Sequence, residues 1–218
     1  MQSAQNYSHV IWDWNGTLFD DVGWCITVMN RLLASRNLKP LGGIAEYHRV
    51  FCFPVINYYR NVGFDLEKES FEDLAEEYVA MYHAGKTGNC TLRQNAVFVL
   101  ETLKQRHATQ VVLSATKTSD LLSQMSAFPI LSYFDETLGL SDIYAKSKID
   151  VGLDYIARKT IKRALLIGDT AHDYETAKAL GADCLLIAGG HQSKERLLTC
   201  GVPVLDDLLE IGEYISIT

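Results

Sequence analysis

With 218 residues, 48% of them hydrophobic, and 15 glycines, the chain can bury one full core and a smaller second one. A net charge of −7 and a pI near 5.3 give no basic field, and no cluster of Lys and Arg interleaves with aromatics, which excludes nucleic acid as the expected partner. The five cysteines, Cys25, Cys52, Cys90, Cys184 and Cys200, are odd in number and scattered with no CxxC pair, so they read as reduced thiols.

The polar residues 1–8 lead into an apolar run too short for a secretory signal or a membrane span, so a cytoplasmic location and no membrane partner are expected. That run, His9-Val10-Ile11-Trp12, reads as a buried strand closing on the acid Asp13, and Asn15-Gly16 marks a sharp turn directly after it. A carboxylate at this place sits where open α/β sheets bind ligands. It is also where an aspartate commonly serves only to hydrogen-bond the next backbone amides.

After Thr17 the period becomes helical. Val22, Ile26, Met29 and Leu33 recur on one face, with Cys25, Val28 and Leu32 widening it, up to Pro40 and Gly42-Gly43. A second helical segment spans 44–50, a third follows Pro54 as far as Gly63, and a fourth opens at the N-cap Ser70 with an apolar face of Leu74, Tyr78, Val79 and Tyr82. No strand is expected between about 20 and 88, so this block reads as an all-α insertion.

A helix with Val97, Leu100 and Leu103 then starts an alternation of strands and helices. Strands are expected at 110–113, 137–140, 164–167, 184–188 and 202–205, with helices from Ser119, Asp150, Ala171 and Asp206, the third closed by Gly181. Such alternation implies an α/β fold: a doubly wound, Rossmann-like parallel sheet with helices on both faces. The expected division is a core of residues 1–19 and 89–218 with a helical cap of residues 20–88.

Four strand ends carry polar groups: Asp13; Ser114 and Thr116; Lys146 or Lys148; and Gly168-Asp169 with Asp173. Asp13, Asp169 and Asp173 would bring three carboxylates to one sheet edge, which only a compensating cation makes tolerable, and few hard oxygen ligands suit Mg²⁺. Each group also has an ordinary reading: Asp173 as the N-cap of its helix, Ser114 as a cap, the lysines as surface charges.

Taken in order, these stretches resemble the four motifs of the haloacid dehalogenase superfamily. Asp13-Trp14-Asn15-Gly16-Thr17-Leu18 is similar to the first, Ser114 in Leu113-Ser114-Ala115-Thr116 to the second, a lysine of Ala145-Lys146-Ser147-Lys148 to the third, and Gly168-Asp169 through Asp173 to the fourth. The place of the helical insertion matches members similar to phosphoglycolate phosphatase. The resemblance implies a phosphohydrolase in which Asp13 takes the phosphoryl group from a small phosphorylated metabolite. It implies Mg²⁺ held by Asp13, the Asn15 backbone carbonyl and Asp169, with Asp173 orienting its water. It also implies phosphate oxygens held by Ser114 and the amides of Trp14, Asn15 and Ala115, and Lys148 balancing charge, with Lys146 as the alternative.

One position departs. Family phosphatases usually carry an aspartate two residues after the nucleophile as general acid and base, and here it is Asn15. Its amide exchanges no proton near neutral pH, a loss typically of about 10²–10⁴ in rate. The chain then hydrolyses substrates whose leaving group needs little protonation, with water or His172 filling in; or it cleaves carbon–phosphorus bonds with a cap lysine, Lys39 or Lys68; or it binds a phosphometabolite without turnover. His48, Arg49 and Arg60 are candidates to meet a second anionic group of the substrate.

Overall fold

The computed structural model describes residues 5–141 and 147–216. Six parallel strands form the main sheet in the order β6-β5-β2-β7-β8-β9: β2 (His9–Trp12), β5 (Thr109–Lys117), β6 (Glu136–Leu140), β7 (Ala164–Gly168), β8 (Asp183–Ile187) and β9 (Val204–Leu205). The first long strand of the chain is therefore central, with Trp12 level with Val112 on one side and Ile167 on the other. This register brings Asp13, Ser114 and Gly168 to the same edge.

Alternate residues of these strands feed two cores. Val10, Trp12, Val112, Leu165 and Ile167 pack on one face with α5 (Ala96–Gln105), whereas Ile11, Leu113 and Leu166 pack on the other with α8 (Ala171–Leu180). Both faces are covered, which is why β7 is buried along its whole length and reads as a continuous apolar run rather than an alternating one. The expected doubly wound α/β sheet is present.

Four helices lie between Asp20 and Thr91, ahead of α5: α1 (Val22–Ala34), α2 (Ile44–Val50), α3 (Val55–Val62) and α4 (Phe71–Gly85). They bury a third cluster of their own, including Met29, Leu32, Leu33, Tyr47, Tyr59 and Leu74. Ser70 caps α4 as expected, its hydroxyl accepting from the Asp73 amide at 3.1 Å. Val79 departs from the expected core face, being 45% exposed.

Short pairings account for most other differences. β3 (Phe19–Asp20) and β4 (Thr91–Leu92) pair antiparallel where the chain leaves and re-enters the sheet region, and β1 (Gln5–Asn6) pairs with β10 (Ile215–Ser216). Two-residue strands carry no periodicity for a sequence to display. β5 runs past Ser114 to Lys117 through an irregular register, α6 (Thr118–Met125) begins one residue early, and the segment after Asp206 forms a 3₁₀ helix over Leu208–Glu213. Two more helices complete the chain, α7 (Lys148–Lys159) and α9 (Lys194–Leu198). The five cysteines are free, with Cys25, Cys90 and Cys184 buried. Among the described residues no helix is long and apolar enough to cross a membrane.

Candidate active site

Asp13 follows β2 directly, and the turn beyond it is closed by the Trp14 carbonyl, which accepts from the amides of Thr17, Leu18 and Phe19. Gly16 is obligatory here. Its φ is +74°, and a Cβ would sit 2.2 Å from the Asp169 carboxylate, so any side chain would drive the first and fourth strand ends apart. Thr17 ties the same ends together, its hydroxyl lying 3.1 Å from Asp13 and 3.0 Å from Asp169.

Lys148 enters the site. A capping box of Ser147 and Asp150 starts α7 at Lys148, two residues before the expected start. That places a 4% exposed ammonium 2.5 Å from Asp13 and 2.6 Å from Asp173. Lys146 lies outside the described residues. Asp173 is not the N-cap of α8. Thr170 is, and Asp173 faces two ways: one oxygen accepts from the Thr170 amide and hydroxyl at 3.0 and 2.6 Å, the other from Lys148.

Ligand oxygens of Asp13, Asp169 and Asp173 lie within 4.8 Å of one another, all buried. Burial, with Asp173 and Asp169 nearby, outweighs Lys148 and pushes Asp13 up to about 8. Burial raises Asp169 as well, whereas Lys148 overcomes burial at Asp173 and holds it low. One ammonium cannot keep three buried carboxylates ionised. Hard oxygen donors short of positive charge fit a divalent cation such as Mg²⁺, with Asp13 and Asp169 as the ligands at hand.

Asn15 is wired into a network that the sequence did not announce. Its amide donates to Asp21 at 2.8 Å and its carbonyl accepts from Thr116 at 2.8 Å, so both ends of the side chain are occupied. Asp21, at the entry to α1, also accepts from Tyr82 at 2.7 Å and lies 3.3 Å from His191. His191 in turn meets the Tyr47 hydroxyl at 2.7 Å and donates its amide to Asp169 at 2.5 Å. The signal for His191 was its place after a fifth strand end, β8, beside Gly189-Gly190.

Burial disfavours the charged ring of His191, but Asp21 outweighs it, with Asp169 and Asp13 adding, and raises His191 to about 9. A histidine so raised stabilises the fold fully below its unfolded value of about 6.5 and stops doing so as pH passes its folded value. The metal-free protein is expected to lose thermal stability as pH rises from about 6.5 to about 9. His191→Asn should flatten that fall in melting temperature; an unchanged slope would place the pH dependence elsewhere.

A cavity of about 740 Å³ joins this edge to the helices, lined by Asp13, Asn15, Ser114, Ala115, Lys148, Asp169, Asp173, His172 and His191 among others. Ser114 is buried and accepts from the Thr116 amide at 3.1 Å, while Ala115 is exposed. The Trp14 ring points away, bonded to Gln124 at 2.8 Å, so only its backbone can serve a ligand. His172 stacks on Phe53 at 4.7 Å, and burial lowers its pKa.

The three basic residues expected to meet a second anion do not line the cavity. Arg49 and Arg60 are exposed, and His48 bonds the Gly190 carbonyl at 2.9 Å. Lys39 and Lys68 are 86% and 84% exposed and pair with Glu46 and Asp65, so neither supplies the lysine that carbon–phosphorus cleavage would need.

The central strand closing on an aspartate, the acids after β7 and the buried lysine define a hydrolase of the α/β class with its site at the sheet edge. The chain belongs to the haloacid dehalogenase-like hydrolase family, whose model matches residues 10–187. It is 25% identical over 193 residues to a phosphoglycolate phosphatase of Rhodobacter capsulatus, covering 84% of this chain and 85% of that protein. Its fold is similar to a predicted phosphatase from Clostridium acetobutylicum, with a TM-score of 0.81, 21% identity and coverage of 95% and 97% of the two chains. It is equally similar to the Mycobacterium tuberculosis protein tyrosine kinase A, with a TM-score of 0.81, 22% identity and coverage of 96% and 98%. One fold thus carries more than one named activity, and the site must decide.

Proposed function

We propose that the chain is a phosphoric monoester hydrolase that uses Mg²⁺ and a phosphorylated Asp13 to act on a small phosphorylated metabolite in the cytoplasm. Residues 20–88 serve as its cap. The observation that carries this reading is the buried trio of Asp13, Asp169 and Asp173, met among the described residues by one ammonium, that of Lys148 on Asp13 and Asp173. Asp13, Asp169 and the Asn15 backbone carbonyl would hold the ion, with Asp173 orienting its water. Bound Mg²⁺ supplies charge neutralisation for the nucleophile and the phosphate.

The Asp13 carboxylate attacks phosphorus while the bond from phosphorus to the leaving oxygen breaks. Ser114 and the amides of Trp14, Asn15 and Ala115 hold the transferring oxygens, and Lys148, beside Asp13, offsets charge as it builds. Water then attacks the same phosphorus, returning Asp13 and releasing phosphate. Splitting the hydrolysis into two displacements needs a site from which water is otherwise excluded, which the cap would provide.

Phosphate release from a panel of phosphomonoesters tests the reading. Release is expected with Mg²⁺, to vanish with EDTA and to return when Mg²⁺ is added in excess. Release that EDTA leaves untouched would contradict the metal role. Stabilisation by Mg²⁺ and phosphate mimics without any release would indicate a binding protein.

A further inference from the structure

We propose that the substrate is an aryl phosphate, a monoester whose organic part is aromatic and carries no second anionic group. The inference rests on the phosphohydrolase reading and specifies what its cap admits. Its first support is the chemistry of the cap side of the cavity. Tyr47, Phe51, Phe53, Tyr58, Tyr78 and Tyr82 line it, and among the described residues the cap contributes neither Lys nor Arg. A carboxylated substrate such as a two-carbon phospho acid would meet aromatic faces there, with no cation to replace its lost hydration.

The charges that do line the cavity point the same way. Lys148 is held by Asp13 and Asp173, His191 lies 3.3 Å from Asp21, and the other lining lysine, Lys117, is exposed at the end of β5, on the sheet side. His83 is 3.5 Å from Asp120. Phe53, Val55 and Val79 line the cavity yet are 36%, 36% and 45% exposed, so the aromatic lining continues into an apolar mouth. The volume of about 740 Å³ falls within the roughly 300–1,000 Å³ that takes a ring-sized organic ligand.

The second support is independent and comes from the reacting end. Asn15 cannot protonate a leaving oxygen, and its side chain is held at both ends by Asp21 and Thr116. A phenol ionises near about 10, whereas an alkyl alcohol is about as weak an acid as water, at roughly 15.7. Transfer to Asp13 from an aryl phosphate releases a phenolate, which takes the bonding electron pair without a proton. Attack of water on the phosphorylated Asp13 returns the carboxylate and gives dihydrogen phosphate. The proton of that product neutralises the phenolate in bulk solvent, so the balance closes with no acid at position 15.

The test is kcat/KM with Mg²⁺ for phenyl phosphate, substituted phenyl phosphates, benzyl phosphate, acetyl phosphate and phosphoglycolate. Phenyl and benzyl phosphates are both expected to exceed phosphoglycolate at least tenfold, benzyl showing that the ring itself is bound. Among the phenyl phosphates kcat/KM should rise steeply with the acidity of the phenol, and the rise should be shallower in Asn15→Asp. Val79→Arg, at an exposed position that leaves the core intact, should raise KM for phenyl phosphate and lower it for phosphoglycolate. Phosphoglycolate turned over as well as the aryl esters would overturn the inference and leave the phosphohydrolase standing. No phosphate from any of the panel, acetyl phosphate included, would overturn both.

Discussion

Asp13→Asn is expected to lower phosphate release on the order of 10³-fold or more, because an amide oxygen does not attack phosphorus. The same substitution should not unfold the protein. In the metal-free state it removes one of three crowded carboxylates, the one that burial and its neighbours push up to about 8, and Lys148 keeps Asp173 as its partner. The melting temperature in EDTA is therefore expected to stay level or rise, while the stabilisation brought by Mg²⁺ should shrink. Loss of activity together with a fall in melting temperature would mean that Asp13 is structural.

Asn15→Asp should produce the second large effect, and in two directions. For alkyl phosphates, whose leaving oxygen needs a proton, turnover is expected to rise by about 10²–10⁴, the usual contribution of a positioned general acid. The new carboxyl group would face Asp21 where the amide now donates to it at 2.8 Å. Two carboxylates at that separation share a proton, so the introduced acid would stay protonated well above the ordinary carboxylate range. The fold loses the amide hydrogen bond in exchange, and the melting temperature should drop by an amount corresponding to about 1–3 kcal/mol. Parallel measurement of turnover on benzyl phosphate and of thermal melting checks both. An inert, destabilised variant would show that protonation is not what limits the natural chain.

The fold was legible where the sequence repeats a physical signal. The run from His9 to Trp12 ends on an acid and a glycine turn, and the strand–helix alternation after residue 108 follows from burial on both faces of the sheet. Lys148 was half legible: Ser147 and Asp150 spell a capping box, which fixes Lys148 as the first residue of α7 and turns it inward. Asp21 and His191 were not. They stand 170 positions apart, one at the mouth of α1 and one beyond β8, and only the fold brings them to 3.3 Å.

The aromatics of the helical block illustrate a different limit. Tyr58, Tyr78 and Tyr82 sit at spacings that suit an ordinary helical core, and part of that set does pack there. Which of their faces borders a cavity is set by how α3 and α4 lean over the sheet edge. The basic residues of α2 misled for the same reason: His48 turned to a backbone carbonyl and Arg49 to solvent. Charge along residues 20–88 reports the composition of the helical block but not its inner surface.

The most direct test of the account is to catch the phosphorylated protein. Mixing the Mg²⁺-loaded chain with phenyl phosphate, quenching in acid and measuring peptide masses should find one phosphoryl group on the peptide that contains Asp13, and none in Asp13→Asn. Phosphate released in quantity with no phosphorylated peptide at any quench time, or a phosphoryl group on a residue other than Asp13, would contradict the central claim.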